Sequence, residues 1–408
     1  MANEKEVALS SISLVQKSLP IVNDINEGLS SQVDCEVVFS AHALQSPGIG
    51  VFDESDVGEE LQGEERGNAI FLPECWRKNS FDIDNLSLTF LNRPYIFGGR
   101  ISRREAGFHF FGQTIITSDG SLVDGSYGTM DGNRDLPGDI LGKSESEFKY
   151  QGPQFAEELS GTYYLIGNVH RHFGHVLLEG LTRLWALRNF SEDPSIRFAI
   201  YEDEIKPFAL KLLELAGVDL ARIVTIPKVA VVEKLIVPSP SMRSHRWITA
   251  PQMDVWRAIS ARAAGASQAA PTRKVYLSRK RIPDRPLKNE LEVEDFFVRQ
   301  GFDVICPETI DLQEQIKIAS ESRVLAGPVG SQMYLAAFQQ KNTGLFVVAP
   351  RNFYLRDDSL VASANSARLQ VCFGSSIDFK RPKEERDWCI DVEKLEKSYS
   401  IFRGEVEG

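Results

Sequence analysis

The sequence predicts an α/β protein of two units in which strands alternate with helices, and three observations carry that prediction. Short runs of β-branched and aromatic residues recur between segments with helical apolar spacing, the pattern of a mainly parallel, doubly wound sheet. The alternation occurs twice, on either side of a stretch of small residues, Ala263 to Pro271 (AAGASQAAP), which reads as a linker. The chain of 408 residues, 42% hydrophobic and 25% charged, has the length for two domains and the composition of a folded globular protein.

The elements follow in order. The amino-terminal segment MANEKEVALSSISLVQKSLP carries charge early and has no continuous apolar core, so it does not read as a secretory signal. Residues 51–66 hold seven carboxylates among few apolar residues and read as a solvated loop. From Leu86 to about Tyr127, runs such as SLTFLNRPYIFGG and FHFFGQTIITSDG, punctuated by Gly and Asp-Gly, predict a small sheet or hairpins. The stretch 128–154 is rich in Gly, Asp and Ser and is expected to form loops.

The first alternation then runs GTYYLIG, a helix from about Gly174 to Asn189, RFAIY, the helix PFALKLLELAG, RIVTI and KLIVPS. A helix APQMDVWRAISARAAG leads into the linker. The second alternation runs KVYLS, the helix LEVEDFFVRQG, FDVICPE, the helix DLQEQIKIASES, RVLAGP, the helix SQMYLAAFQQ, GLFVVAP and LQVCFG. From Arg386 to Phe402, Trp388, Ile390, Val392 and Leu395 have helical spacing, so a closing helix is expected to cross back over the join. The expected domains are therefore 1–150 (a β-rich amino-terminal extension of the first lobe), 151–268, 269–385 and the terminal helix 386–408.

Composition excludes some functions. Lys and Arg total 46 against 57 Asp and Glu, a formal charge of −11, and such a surface repels phosphate backbones, so nucleic acid is not expected as a partner. Five cysteines without CxxC spacing indicate neither a disulfide framework nor a zinc cluster. The apolar region 220–238 is interrupted by Arg222, Lys228, Glu233 and Lys234, and no stretch reaches membrane-spanning length. A cytoplasmic protein is expected, with peripheral docking on the inner face of a membrane left open.

Three places concentrate chemistry. Of six histidines, His170, His172 and His175 fall in the window NVHRHFGH at a strand-to-helix junction. On the helix HVLLEGLTR, His175, Glu179 and Arg183 stand at i, i+4 and i+8, so an ideal helix presents them on one face. The plain reading is a solvated face with a Glu179–Arg183 pair; the functional one is acid/base chemistry by Glu179 or His175. A metal held by His170, His172, His175 and Glu179 is a third reading, centred on a hydrolase, but the spacing matches no standard zinc motif.

The second place is basic. Between Thr272 and Glu290 lie Arg273, Lys274, Arg279, Lys280, Arg281, Arg285 and Lys288 against Asp284 and Glu290. Arg279 and Lys280 directly follow KVYLS, and open α/β sheets bind ligands at the carboxyl ends of their strands. Arginine suits a diphosphate because its planar fork donates paired hydrogen bonds. The third place is GPVGS, Gly327 to Ser331, where a glycine turn into a helix frees backbone N–H groups for an anion. The carboxylate groups Asp82 with Asp84, and Glu202 to Glu204, read as surface.

Taken together, GHVLLEGLTRLWAL, KVYLSRKR, GFDVICPETIDLQEQIKIASESRVLAGPVGSQMYLAAF and GLFVVAP resemble the family 61 glycosyltransferases, which include plant xylan xylosyl- and arabinosyltransferases, animal N-acetylglucosaminyltransferases and bacterial capsule or exopolysaccharide enzymes. The resemblance covers roughly Tyr163 to Pro350. It implies a GT-B-like pair of Rossmann-like halves facing a cleft, and inverting transfer from a nucleotide-sugar, often UDP-linked, to a glycan or lipid-linked glycan acceptor.

Residue by residue, the family's His-x-x-x-Asp/Glu-x-x-x-Arg helix matches His175, Glu179 and Arg183, with His172 supporting. Its Ser-Arg-Arg/Lys stretch matches Ser278, Arg279 and Lys280. The Pro-Glu and Glu-Gln signature matches Pro307, Glu308, Glu314 and Gln315, and the Gly-Pro-His-Gly block matches Gly327, Pro328 and Gly330, with Val329 in place of the histidine. On this resemblance the base is Glu179, or else His175. The donor is held by Arg279, Lys280, Arg285, Glu308, Gln315 and the N–H groups of Gly330 and Ser331. No cofactor is required, and a divalent metal is optional because cationic side chains replace its charge. The alternative, motivated by Val329, is a non-catalytic nucleotide- or glycan-binding subunit of the same fold.

Overall fold

The computed structural model describes 6–8, 21–22, 33–39, 50–51, 86–102, 109–118, 122–123, 126, 128–130, 133–135, 140–142, 148–150 and 155–407, apart from 170–171, 202–204, 245–246, 266–268, 352, 355–356 and 378–385. Of the sequence expectations, the loop 51–66 beyond Val51, Asp82, Asp84, His170, Glu202 to Glu204 and the middle of the linker lie outside these residues. The fold is mixed α/β. The chain divides into two compact units, one containing Asp84–Ser241 and the other Met242–Gly408.

In the first unit, β1 (Leu86–Asn92), β2 (Tyr95–Ser102) and β3 (His109–Ile116) precede the long β4 (Phe155–Asn168). They are followed by β5 (Ile196–Tyr201), the helix α1 (Pro207–Ala216), β6 (Ile223–Thr225) and β7 (Val229–Pro238). The parallel part has the order β6-β5-β4-β7, in register Phe198↔Ile223, Tyr164↔Phe198 and Tyr163↔Leu235. Beyond β7 the sheet turns antiparallel: β1 pairs with its carboxyl half (Ile236↔Phe90), and β2 with its amino half (Ala230↔Ile96) and then with β3. The β-prone runs expected as a small separate sheet thus extend the main one. Tyr163, Leu165, Ala199 and Leu235 pack with Leu91, Ile96 and Ile115 on one face, while Tyr164 at the other meets Phe190 at a tilt and Phe198 edge to face. A strand covered on both faces has no polar alternation, which explains the unbroken run YYLI.

In the second unit, α2 (Ala250–Ala264) precedes β8 (Arg273–Leu277), α3 (Glu290–Arg299), β9 (Asp303–Ile305), α4 (Leu312–Glu321), β10 (Ser322–Pro328), β11 (Gly344–Pro350), α5 (Asp357–Asn365), β12 (Arg368–Ser376) and α6 (Val392–Glu407). The strands are parallel in the order β9-β8-β10-β11-β12. One face buries Tyr276, Ala326, Phe346 and Val348 beneath Val293, Phe296 and Phe297 of α3 and Leu395, Tyr399 and Phe402 of α6. The aromatic rings there interlock, with Phe297 4.8 Å from Tyr276 and 5.7 Å from Tyr399 between centroids. On the opposite face Leu277 and Leu325 meet Ile318 and Ala319 of α4 and Leu335.

Several expectations are corrected. The division falls at Ser241 and Met242, not in the Ala263–Pro271 linker: α2 carries the apolar stripe Val255, Trp256, Ile259 and Ala263, and it is buried within the second unit against α4 and the turn after β10. The closing helix begins at Val392, because Trp388 and Cys389 pair as a strand with β12, and its apolar face completes the second unit's core. SQMYLAAFQQ forms a 3-10 helix, Ser331–Phe338, and α5 has no counterpart in the sequence reading. Within 128–154, where loops were expected, the described residues form two short antiparallel strand pairs, Gly128–Met130 with Asn133–Asp135 and Ile140–Gly142 with Phe148–Tyr150.

Candidate functional site

The first cluster stands at the carboxyl end of β4, beside β7, where the chain order of the parallel strands reverses; ligands of open α/β sheets bind at such points. The expected helix from Gly174 to Asn189 is broken. A short α-turn, Phe173–His175, passes into a π-turn, Val176–Gly180, closed by the Leu181 N–H on the Val176 carbonyl (3.1 Å), and then into a 3-10 segment, Leu184–Asn189. A Cβ at Gly180 would stand 3.1 Å from the Asn168 carbonyl oxygen, a tight contact, so the glycine lets the π-turn lie close against the end of β4. Inserted π-turns are frequent at functional sites because they redirect the side chains around them.

The redirection separates the predicted stripe. His175 and Glu179 keep their i, i+4 relation, with His175 Nδ1 2.7 Å from Glu179 Oε1 and each side chain a little under half exposed. The His172 ring lies edge-on to that of His175, 6.2 Å between centroids. Arg183 does not join them: the added π residue rotates it inward, where it is buried with its guanidinium against Gly167 of β4. The turn is bolted to the strand ends on either side. Tyr164 donates its hydroxyl to the Arg183 carbonyl, the Thr182 hydroxyl donates to the Glu179 carbonyl (2.8 Å), and the Ser241 hydroxyl, after β7, donates to the Thr182 carbonyl (2.7 Å).

Chemically, a carboxylate at Nδ1 can accept the N–H of that nitrogen and orient the ring, the relation an orienting acid has to a general base. Among the described residues no three His, Cys, Asp or Glu gather as a metal site.

The second cluster stands at the carboxyl ends of β8 and β10, again where the strand order reverses. Ser278 and Arg279 directly follow β8, and both are buried. The Arg279 guanidinium reaches over to the turn after β10, donating from Nη1 to Gln332 Oε1 (3.1 Å) and from Nη2 to the Asp284 carbonyl (3.0 Å). It occupies the space where a side chain at Gly330 would stand, so glycine is needed there for close approach. Burial, with the neighbouring Arg285 charge second, pushes the Arg279 guanidinium down to about 10, so it remains charged at neutral pH.

Arg285 lies with its guanidinium 4.0 Å from the Phe353 ring centroid and its backbone at φ 50°, a left-handed conformation rare outside glycine and common near sites. Lys280 is exposed and ion-paired to Glu294 at 2.8 Å. Ser331 is exposed at the start of the Ser331–Phe338 turn, and Val329 is buried with its N–H donating to the Val348 carbonyl (2.8 Å). Glu308 is exposed on the Pro307–Thr309 turn, close enough to Arg279 to favour its charge. Gln315 spends its amide hydrogens on the carbonyls of Pro307 (2.8 Å) and Ile310 (3.0 Å), which fixes that turn.

Two participants escaped the sequence reading. Gln332 receives Arg279, and Glu290 on α3 receives the Arg279 N–H at 2.5 Å and the Ser278 hydroxyl. Glu290 and Glu294 are buried one helical turn apart beside Val293, Phe296 and Phe297. Carboxylates on the apolar face of a helix are the signal that would have found them.

With this geometry in place, residues 173–346 match the model of a family described as Glycosyltransferase 61. The matched span runs from the turn bearing His175 and Glu179 into β11. No curated protein matches the chain.

Proposed function

We propose that this chain, whose residues 173–346 match the Glycosyltransferase 61 family model, is a glycosyltransferase that moves a sugar, with inversion, from a UDP-linked donor to a glycan acceptor in polysaccharide synthesis. The observation that carries this reading is the buried Arg279 fork lying along the Gly330 turn at the reversal point of a parallel sheet. A fixed cation beside backbone N–H groups is what a departing diphosphate requires, because its charge grows as the bond to the sugar breaks.

In this proposal Arg279, Arg285 and the N–H groups of Gly330 and Ser331 hold the diphosphate. Lys280 adds its field from its seat on Glu294, Glu308 receives the ribose hydroxyls, and Gln315 holds the turn that carries Glu308. His175 Nε2 takes the proton of the acceptor hydroxyl, with Glu179 orienting the ring and stabilising the imidazolium. The acceptor oxygen then bonds to the anomeric carbon as the carbon–oxygen bond to the diphosphate breaks, and UDP departs with that electron pair. A GT-B-like arrangement, with the acceptor on the first unit and the donor on the second, belongs to the same proposal, as does action in the cytoplasm on an acceptor that is free or lipid-linked.

The test is release of UDP from a panel of UDP-sugars with glycan acceptors, read together with calorimetric binding of UDP. Arg279→Lys keeps the charge and loses the fork, so UDP affinity is expected to fall by about tenfold or more. Unchanged affinity removes the diphosphate role of this cluster.

A further inference from the structure

Behind the Arg279 fork lies a carboxylate that nothing in the transfer chemistry uses. Glu290, at the start of α3, is 4% exposed. Its Oε1 accepts the Arg279 N–H at 2.5 Å, and the Ser278 hydroxyl also donates to it. The same Ser278 oxygen accepts the Lys280 N–H at 3.2 Å, so the three residues that follow β8 are tied to one buried acid. Burying a carboxylate is costly, and burial, its largest influence, raises the Glu290 pKa. An apolar side chain at this position would fill the same space but leave the Arg279 N–H and the Ser278 hydroxyl without their acceptor, so what the carboxylate adds is hydrogen bonds rather than packing.

What the carboxylate does accomplish is to fix the direction of Arg279. A residue just past a strand end has lost the ladder that orients it, and its backbone N–H needs a partner. With that N–H held on Glu290, the side chain leaves toward β10 and reaches Gln332 and the Gly330 turn. The buried charge also opposes the repulsion between Arg279 and Arg285, the two cations the proposed grip depends on.

We propose that Glu290 is a positioning residue for the donor site: it touches no substrate, and it holds the turn after β8 so that the Arg279 fork faces the Gly330 loop ready for a diphosphate. This rests on the reading of the second cluster as the diphosphate site.

The experiment measures UDP affinity by calorimetry and the thermal midpoint on the full chain, for the native protein and for Glu290→Leu, Glu290→Gln and Ser278→Ala. Glu290→Leu removes both acceptor oxygens. It is expected to weaken UDP binding by about tenfold or more at a temperature where the variant stays folded, since small misplacements of positioning groups are felt strongly, and to lower the midpoint as well, because the Arg279 N–H and the Ser278 hydroxyl lose their acceptor. Glu290→Gln keeps a carbonyl for the Arg279 N–H and is expected to recover affinity to within about threefold of the native value. Asp303→Asn, which removes an equal charge from the Arg273 pair at the surface, controls for net charge and leaves affinity unchanged.

Native affinity in Glu290→Leu measured well below its midpoint, or no recovery of affinity in Glu290→Gln, overturns the proposal. Should Glu290→Leu fail to fold, Ser278→Ala decides: a loss of affinity without a matching fall in midpoint supports the positioning role, and native affinity refutes it. A native protein that binds no UDP overturns the donor reading itself, an outcome distinct from native and variant proteins binding alike.

Discussion

In the proposed transfer His175 and Glu179 work as a pair. With Nδ1 2.7 Å from the carboxylate, loss of either partner removes the proposed base or the group that orients it. Glu179→Gln is therefore expected to lower kcat by about 10²–10⁴ while UDP binding stays native, and His175→Ala to do the same. Full turnover by either variant in a transfer assay would take that residue out of the chemistry. A second residue-scale prediction concerns stability. Asp358 is wholly buried, its two oxygens have no hydrogen-bond partner, and burial, followed by the neighbouring Asp357 charge, raises its pKa well above the usual 3.8. A carboxyl raised on folding contributes stability that is complete below its unfolded value and is lost as pH rises through its folded one. The native thermal midpoint should thus fall relative to that of Asp358→Asn as pH climbs from about 4. Parallel curves for the two proteins would show that Asp358 does not titrate across the folding transition.

At the scale of elements, the sequence marked the parallel strands well because strands buried on both faces are written as unbroken apolar runs: YYLI in β4, and GLFVVAP, every residue of it buried, in β11. Turns near the sites were less legible. A period of 3.6 placed Arg183 beside Glu179, whereas the chain passes through a π-turn between them and Arg183 is buried. The GPVGS turn was located correctly, but the need for its second glycine became visible only through Arg279, a residue far away in sequence. Gly330→Ala places a methyl group in the space of that guanidinium. It is expected to weaken UDP binding by about tenfold or more, as a displaced contact in a preorganised site does, with the circular dichroism of the folded protein retained. Native affinity would mean that the Arg279 fork moves aside freely.

For the whole molecule, each unit carries a core of its own. In the second, Phe297, Phe346, Tyr399 and Phe402 interlock between α3, α6 and the sheet. Tyr399→Ala should cost about 3–5 kcal/mol by the cavity it leaves, read as a lower urea midpoint. A cost below about 1 kcal/mol would mean that α6 is peripheral to this core. Ligand binding reports on the whole chain in another way: a ligand held by the native state alone raises the thermal midpoint in proportion to its excess over Kd. UDP is expected to raise it more than GDP or CMP at equal concentration, and a larger shift with either of the others would reassign the donor.

The sequence by itself determined the α/β class and the order of nearly all strands and helices in the two alternations. These follow from residue patterns a few positions long, and local patterns survive folding because burial acts on each face of each element separately. Only the tertiary structure decided that α2 belongs to the second unit, that Arg183 turns inward while His175 and Glu179 stay together, and that Glu290 stands behind Arg279. Those outcomes depend on which distant residues share a volume, and contacts between positions far apart along the chain leave no period in it.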